Sequence, residues 1–583
     1  MSAREVPWSA TSTLVDLLSR RGDTGDDRLA CTFLASGRDE EGRLTYVDLD
    51  RRARELGAHL QERGLRGERA ILLYRPGTEL VVAFLGCFYA GVLAVPVPPP
   101  LGTSGAGLSR LLSVIEDTTP SVILCDGDVH AQGEKDQWAR GPLAELPWLM
   151  TDGAPLGDAG DWRHPGVGPD DVAVLQYTSG STAAPKGIMV THGNFNANLT
   201  NLFHSMGVDS SWVACSWLPY YHDMGLVGGI LFPLYVEFPV YLMSPLVLAQ
   251  RPLRWLEAID RYRVNLSGGP NFAYDLCVRR VSEDKRQRLD LSSWRVAFNG
   301  AEPVRARTLE AFAEAFAVSG FRRKSFYPSY GLAETTMQSS SNPAAQPPIY
   351  KALVPGDLER GVITDTSIDD PGARVLVACG AMAPGFEWAI VDPATRRPLG
   401  DRQLGELWLR GTSVAKGYWE NPEATAETFQ GRLAEASDGF SDGDWLRTGD
   451  LCFIDDDQLY IASRLKDLIV LDGRNHYPQD IELTVEQCHP AIWENGVIAF
   501  SVDVDDAERL VVVYAVDPRK GRKVDAKELE TLVRRRVAEE HEVRVYDAVA
   551  VRPARIPKTS SGKLQRRLCR QQYLEGTFEE PPA

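Results

Sequence analysis

Between residues 45 and 125 the chain switches repeatedly between two hydrophobic periods, and that switching limits the folds open to it. Thr45 and Asp48 form a capping-box-like start, and Leu49, Ala53, Leu56 and Leu60 follow at helical spacing. The continuous apolar run AILLY at 70–74 then predicts a buried strand. A helix over 78–90, a strand near 92–97, the Pro/Gly-rich turn PPPLGTSGAG, a helix over 107–117 and the strand SVILC complete the series. Strands without a polar face, separated by helices, imply a largely parallel sheet covered on both sides. The pattern returns from 172 to about 330, with VAVLQYT and WRVAFNG as strands, so the expected class is α/β.

Beyond 340 the character changes. Residues 340–372 are rich in Ser, Pro, Asp and Gly, and the short strands WAIVD, GELWLRG, LCFIDD and QLYIAS follow, which predicts a small β-rich subdomain. From about 467 the chain has its own helices and the alternating strands GVIAFSVD and LVVVYAVD, enough for a separate domain. The apolar stretch LVVAFLGCFYAGVLAVPV at 80–97 has the length of a membrane span, but Gly86, Gly91 and Pro96 punctuate it. A helix ending at Gly91 followed by a buried strand accounts for it, so no integral membrane segment is expected.

The balance of 63 basic against 80 acidic residues, net −17, disfavours non-specific nucleic-acid binding. The 9 cysteines show no CxxC and no metal-ligand spacing, and read as reduced thiols of a cytoplasmic protein. The first residues lack the apolar core of a signal peptide.

Directly after the apolar run DVAVLQ comes YTSGSTAAPKG, residues 177–187. A Walker loop needs G-x-x-x-x-G-K-[ST]; here Pro185 stands where the second glycine belongs and Gly187 follows the lysine, so that reading fails twice. Phosphate binding remains open by another route. The hydroxyls of Thr178, Ser179, Ser181 and Thr182, backbone N–H groups freed by Gly180, and the ammonium of Lys186 can surround polyphosphate oxygens. The alternative is a solvated Ser/Gly/Pro turn.

Further along, NGAEPV (299–304), YGLAET (330–335), GELWLRG (405–411), WLRTGD (445–450), SRLKDLI (463–469) and PKTSSGK (557–563) follow in order. With YTSGSTAAPKG they closely resemble the signature set of the adenylate-forming superfamily: acyl-CoA synthetases, peptide-synthetase adenylation domains and luciferases. The resemblance covers nearly the whole chain. It implies a large N-terminal domain, 1–465, of two doubly wound sheets plus a β-rich subdomain at about 373–463, and a small mobile α+β C-terminal domain, 466–583. It also implies attack of a carboxylate on the α-phosphorus of ATP, giving acyl-adenylate and pyrophosphate, with positioning and electrostatics supplying most of the catalysis.

By the same resemblance Glu334 would hold Mg²⁺ bridging the phosphates, Thr335 would contact the α-phosphate, and Gly300, Ala301, Glu302, Tyr330 and Gly331 would flank the adenine. Asp450, read as part of a TGD turn, and Arg464 would hold the ribose. Lys563 resembles the lysine bridging substrate carboxylate and α-phosphate, and Lys466 occupies the hinge position. Rotation about it would withdraw Lys563 and admit a thiol acceptor. Taken singly, Asp450 is equally a turn former and Lys563 equally a solvated surface charge. One departure stands in the phosphate loop, where Ala183 replaces the family's usual glycine.

The segment SWLPYYHDMGLVGGILFPLYVEFPVYLMSP, 216–245, is large and apolar enough to line a hydrophobic tunnel or simply to be core. WLPYYHDMGLVGG, GGPNFAYDLC, VPVPPP and VACGAMAPGFEWAIVDP look like the fatty acyl-AMP ligases, a branch that activates long-chain fatty acids and hands them to an acyl carrier protein or a polyketide or peptide synthase. His222, with Asp223, Met224 and Gly225, would then sit at the acyl-pocket entrance, although a lone histidine also reads as structural. Residues 340–375 match the insertion marking that branch, thought to restrict domain rotation or CoA access; a tolerated surface loop is the alternative. Residues 564–583 are too few for a carrier domain of at least about 50 residues, so the acceptor is expected in trans. The competing readings are a fatty acyl-CoA synthetase and a non-catalytic acyl- or nucleotide-binding homologue.

Overall fold

The start at Thr45 is a complete capping box: Asp48 N–H donates to Thr45 Oγ1 at 3.1 Å, and Thr45 N–H to Asp48 Oδ2 at 3.2 Å, opening helix Tyr46–Glu62. Helix Thr78–Ala90 ends on Gly91, whose φ of +67° is the left-handed conformation glycine adopts without penalty. The chain then reverses into strand Leu93–Pro96, so the apolar run of 80–97 is a helix and a strand of the core. Among the described residues no helix is long and apolar enough to cross a membrane. The computed structural model describes residues 12–100, 105–139, 141–153, 156–177, 185–434, 440, 443–471, 474–504, 507–521, 524–559 and 562–578.

Two large sheets carry the first part of the chain. In the six-stranded sheet, Arg69–Leu73 lies between Val122–Cys125 and Leu93–Pro96, parallel to both, and Val172–Tyr177 adds in parallel beyond Leu93–Pro96. Gly187–Thr191 closes that edge antiparallel. The nine-stranded sheet runs in parallel through Ala214–Ser216, Leu266–Gly268, Val296–Asn299 and Phe326–Tyr330. Helices cover both, as expected of strands without a polar face. The expected pair of doubly wound sheets is present.

The β-rich part is an antiparallel sheet of Phe386–Val391, Gly405–Gly411, Leu446–Asp455 and Gln458–Arg464. It begins later than the expected 373, because Arg374–Val377 pairs back onto Tyr350–Leu353 and Ala381–Met382 joins the nine-stranded sheet. Asp450 also differs from expectation: it lies inside strand Leu446–Asp455, paired with Arg464, not in a turn. Gly449, at φ +71°, kinks that strand, and the turn composition of TGD marks the kink. After Arg464, the short 3-10 turn Leu465–Asp467 leads into a body with its own cores, where the sheet of Ile492–Val504, Ala507–Val516 and Val545–Val551 packs on helices Pro478–Cys488, Ala526–His541 and Arg566–Leu574.

Candidate active site

In an open sheet of parallel strands, ligands bind beyond the carboxyl ends. Here those ends are occupied by the predicted residues. Val296–Asn299 delivers Gly300, Ala301 and Glu302; Phe326–Tyr330 delivers Tyr330 and Gly331, and the following 3-10 turn Ala333–Thr335 carries Glu334. A cavity of about 430 Å³ opens there, lined among others by Lys186, His222, Gly300, Tyr330, Glu334 and Lys563. Arg464, Lys466, Asp223, Met224, Ala301 and Gly331 also reach it. Thr178, Ser179, Gly180, Ser181 and Thr182, with Ala183, lie outside the described residues.

Backbone geometry explains two of the small residues. A Cβ on Gly331 would stand 1.7 Å from Met337 O, and one on Gly225 2.0 Å from Pro219 O, so neither position accepts a side chain without moving backbone. Gly225 itself does not line the cavity; it lets the π-helical run Met224–Leu231 close onto the preceding loop. Ala301 is held at φ +68°, an unfavourable conformation for a residue with a Cβ, at the point where the chain passes the cavity.

The polar lining of the site is held by two sets of contacts. Tyr330 OH donates to Asp450 Oδ2 at 2.7 Å, and Arg464 Nε donates to Asp450 Oδ1 at 3.0 Å. The charge of Asp450 in turn raises the pKa of Arg464 and fixes its guanidinium positive. Asp450 is buried behind these two partners, while Arg464 and Tyr330 face the cavity. Tyr418 OH donates to Glu334 Oε1 at 2.9 Å. Burial raises the pKa of Glu334, a shift partly offset by Tyr418 and Arg464. Lys186 Nζ sits 4.9 Å from the centre of the Tyr418 ring, so one tyrosine orients both an acid and a base.

Two residues turn out differently from the family expectation. Thr335 is fully buried, and its hydroxyl is committed to Leu332 O at 2.9 Å and Ser339 Oγ at 2.8 Å, so it shapes the turn beneath Glu334. Glu302 does not line the cavity; its Oε1 is buried without a partner among the described residues.

Lys563 arrives from the C-terminal body. Its loop is closed by Thr559 N–H on Lys563 O at 2.8 Å and Lys563 N–H on Thr559 Oγ1 at 3.0 Å. Lys563 Nζ reaches His222 Nε2 at 3.3 Å, and His222 Nδ1 lies 2.5 Å from Asp223 Oδ1. Burial pushes the Lys563 ammonium below the ordinary lysine range, with Asp223 pulling the other way. Burial likewise opposes the Asp223 charge, yet His222, Lys563 and the Met224 amide hold its carboxyl below the usual carboxylate range.

Sequence reasoning missed two parts of the site and anticipated a third only in part. Tyr418, in a Gly-Tyr-Trp run, carries the local signal of a core aromatic. Arg566 forms a bidentate pair with Glu482, both contacts at 2.7 Å, and reaches Asp467 at 3.0 Å, so it ties the lysine loop to the residue beside Lys466. The apolar arm of the cavity is the third. It takes Met224, Gly228 and Phe232 from the segment 216–245, but also Leu202, Met206 and Met337 from elsewhere. Most of that segment, including Leu231, Leu234, Tyr235 and Phe238, is core.

Replacing Arg566 by Met leaves Glu482 buried and uncompensated, and is expected to cost about 3 kcal/mol in the C-terminal body. Hydrogen exchange on the full chain checks this: helix Pro478–Cys488 should lose protection while the six-stranded sheet keeps it.

The comparisons agree with this geometry. Residues 18–419 match the family of AMP-binding enzymes, and residues 466–581 match the AMP domain of Disco-interacting protein 2-like proteins. A medium-chain-fatty-acid–[acyl-carrier-protein] ligase of Moorena producens is 42% identical over 98% of this chain and 96% of its own. A long-chain-fatty-acid–AMP ligase of Mycolicibacterium smegmatis is 34% identical over 98% and 96%. The crystal structure of a fatty acyl-adenylate ligase from L. pneumophila, in complex with acyl adenylate and pyrophosphate, superposes with a TM-score of 0.74 at 37% identity, covering 97% of this chain and 96% of that one. The chain belongs to the AMP-binding enzymes, in their fatty acyl-AMP ligase branch.

Proposed function

We propose that the protein uses ATP to convert a fatty acid into fatty acyl-AMP, releasing pyrophosphate, and then passes the acyl group to the phosphopantetheine thiol of a separate carrier protein. The observation that carries this reading is the lining of one cavity, reached by Lys563, with two kinds of side chain. Its apolar lining (Leu202, Met206, Phe232, Met337) suits an acyl chain; its polar lining (Lys186, Glu334, Tyr330, Arg464) suits a nucleoside triphosphate. An amino-acid substrate would need a carboxylate free for its ammonium. Asp223 is already engaged by His222 and the Met224 amide.

In this reading the ammonium of Lys563 draws the fatty carboxylate and the α-phosphate together, offsetting the repulsion between two anions. The phosphate-loop hydroxyls and Lys186 hold the outer phosphates, and Arg464 with the Asp450–Tyr330 pair fixes the nucleoside. Glu334 fits Mg²⁺, a cation that takes one or two carboxylates and fills its octahedron with water and substrate phosphates. Among the described residues no group of three or more His, Cys, Asp or Glu forms a protein cage for a metal. Bound there, the ion would neutralise charge on the phosphate oxygens.

The insertion supports a carrier protein, rather than free CoA, as acceptor. Its Leu353, Leu358 and Ile363 share one core cluster with Phe453 and Tyr460 of the β-rich sheet and with Tyr477 of the C-terminal body. Tyr477 OH donates to Leu358 O at 3.0 Å, Arg474 Nη2 to Glu359 Oε2 at 2.6 Å, and Arg374 Nε pairs with Asp480 Oδ2 at 3.0 Å. An element packed on both sides of the turn at Lys466 resists rotation about it.

Incubation with fatty acid, ATP, Mg²⁺ and either CoA or a phosphopantetheinylated carrier protein tests the acceptor. Acyl-carrier should accumulate and acyl-CoA should not; abundant acyl-CoA would make the protein an acyl-CoA synthetase, and no fatty-acid-dependent pyrophosphate would make it a binding homologue. Lys563→Ala should lower fatty-acid-dependent pyrophosphate release at least about 100-fold, on the scale of a preorganised charge removed from a transition state. Glu359→Gln, which removes the charge that holds Arg474, should raise transfer to CoA about tenfold, the effect of shifting a conformational balance by about 1.4 kcal/mol.

A further inference from the structure

Three side chains, two from before the turn at Lys466 and one from beyond it, contact one another in succession in the cavity lining. Asp223 Oδ1 lies 2.5 Å from His222 Nδ1, and His222 Nε2 lies 3.3 Å from Lys563 Nζ. Met224 N–H donates chiefly to the same Asp223 oxygen, at 2.6 Å, and helps keep it ionised; its contact with His222 Nδ1 is longer, at 3.3 Å, and weaker than the 2.5 Å approach of the carboxylate to that nitrogen. An ionised Asp223 fixes the imidazole with its proton on Nδ1, which leaves the Nε2 lone pair as an acceptor. Lys563, an ammonium with donors only, is the partner that lone pair currently has.

The geometry points to His222 as the proton acceptor for the incoming thiol in the second half-reaction, with Asp223 as the group that orients it. This rests on the acyl-transfer reading above and adds a residue role to it. A free thiol ionises near pH 8.5 and only its thiolate is the nucleophile, so transfer at neutral pH needs a base. The S–H proton passes to His222 Nε2 while the sulfur electron pair forms the new C–S bond at the acyl carbonyl of the adenylate. The bond from that carbon to the phosphate oxygen breaks, AMP leaves with the pair, and the imidazolium rests against Asp223 until it gives its proton to water. An imidazole between a carboxylate and a nucleophile is the arrangement that activates serine and cysteine hydrolases.

The contact with Lys563 adds an order to the two steps. While the lysine donates to Nε2, that nitrogen has no free lone pair, so His222 cannot act as a base during adenylation. Withdrawal of Lys563 unmasks it. The charged groups around His222 are Asp223 on its own segment and Lys563 from the C-terminal loop, with Glu334, Arg464 and Lys466 elsewhere in the same lining.

The test separates the half-reactions on the full-length protein. ATP–pyrophosphate exchange with a fatty acid reports adenylation; single-turnover transfer from enzyme-bound acyl-AMP is then followed to N-acetylcysteamine and to the more acidic trifluoroethanethiol. His222→Asn should slow transfer to N-acetylcysteamine about 100-fold, the usual contribution of a general base, and should lower exchange much less. The deficit should shrink to below about tenfold with the acidic thiol, which needs less help to ionise. Asp223→Asn should show the same dependence on thiol acidity with a smaller loss. An equal loss with both thiols, a loss in exchange as large as that in transfer, or no loss in transfer would each overturn the base role. Wild-type protein that makes no acyl-AMP would instead overturn the enzymatic reading beneath it.

Discussion

The site depends on one contact between bodies far apart in sequence: Lys563 Nζ, from near residue 583, at 3.3 Å from His222 Nε2. A desolvated ammonium is costly unless something compensates it; Asp223 supplies the main opposing charge, and the backbone bonds between Thr559 and Lys563 fix the loop that carries the lysine. Arg566, three residues on, links the loop to Glu482 and to Asp467. Because Asp467 adjoins Lys466, any rotation at that turn carries the lysine loop with it. The proposed hinge and the proposed catalytic lysine are thereby mechanically linked.

The same turn is where the insertion acts. Its strand Tyr350–Leu353 and helix Pro355–Glu359 pack on the β-rich sheet, and Glu359 and Arg374 pair with residues just past the turn. A loop of this composition was free to be an inert surface excursion. Its apolar residues are instead buried against both bodies, which gives domain rotation a price set by identifiable contacts.

Local structure was legible because it is local. The Thr45 capping box, the stop at Gly91 and the strand GELWLRG follow from spacing and from glycine's conformational freedom. The motif residues that meet at the cavity were legible through their order along the chain, and Gly300, Ala301, Tyr330 and Gly331 sit at the ends of strands whose position topology fixes. What composition could not supply was pairing at long range. Tyr418 and Glu334 are 84 residues apart, and Arg566 and Asp467 are 99 apart. Nor does periodicity separate tunnel from core: in 216–245 Phe232 faces the cavity while Leu231 and Leu234 do not. Asp450 was misplaced for a related reason, because a kinked strand and a turn share the composition Thr-Gly-Asp.

The central claim is that a fatty carboxylate attacks the α-phosphorus of ATP in this cavity, and the fate of the carboxylate oxygen tests it most directly. A fatty acid labelled with ¹⁸O in both carboxylate positions is turned over with ATP and a carrier-protein acceptor, and the products are analysed by mass spectrometry. The account requires one ¹⁸O in the phosphate of AMP and none in pyrophosphate. Label in inorganic phosphate, or AMP without label, would contradict it.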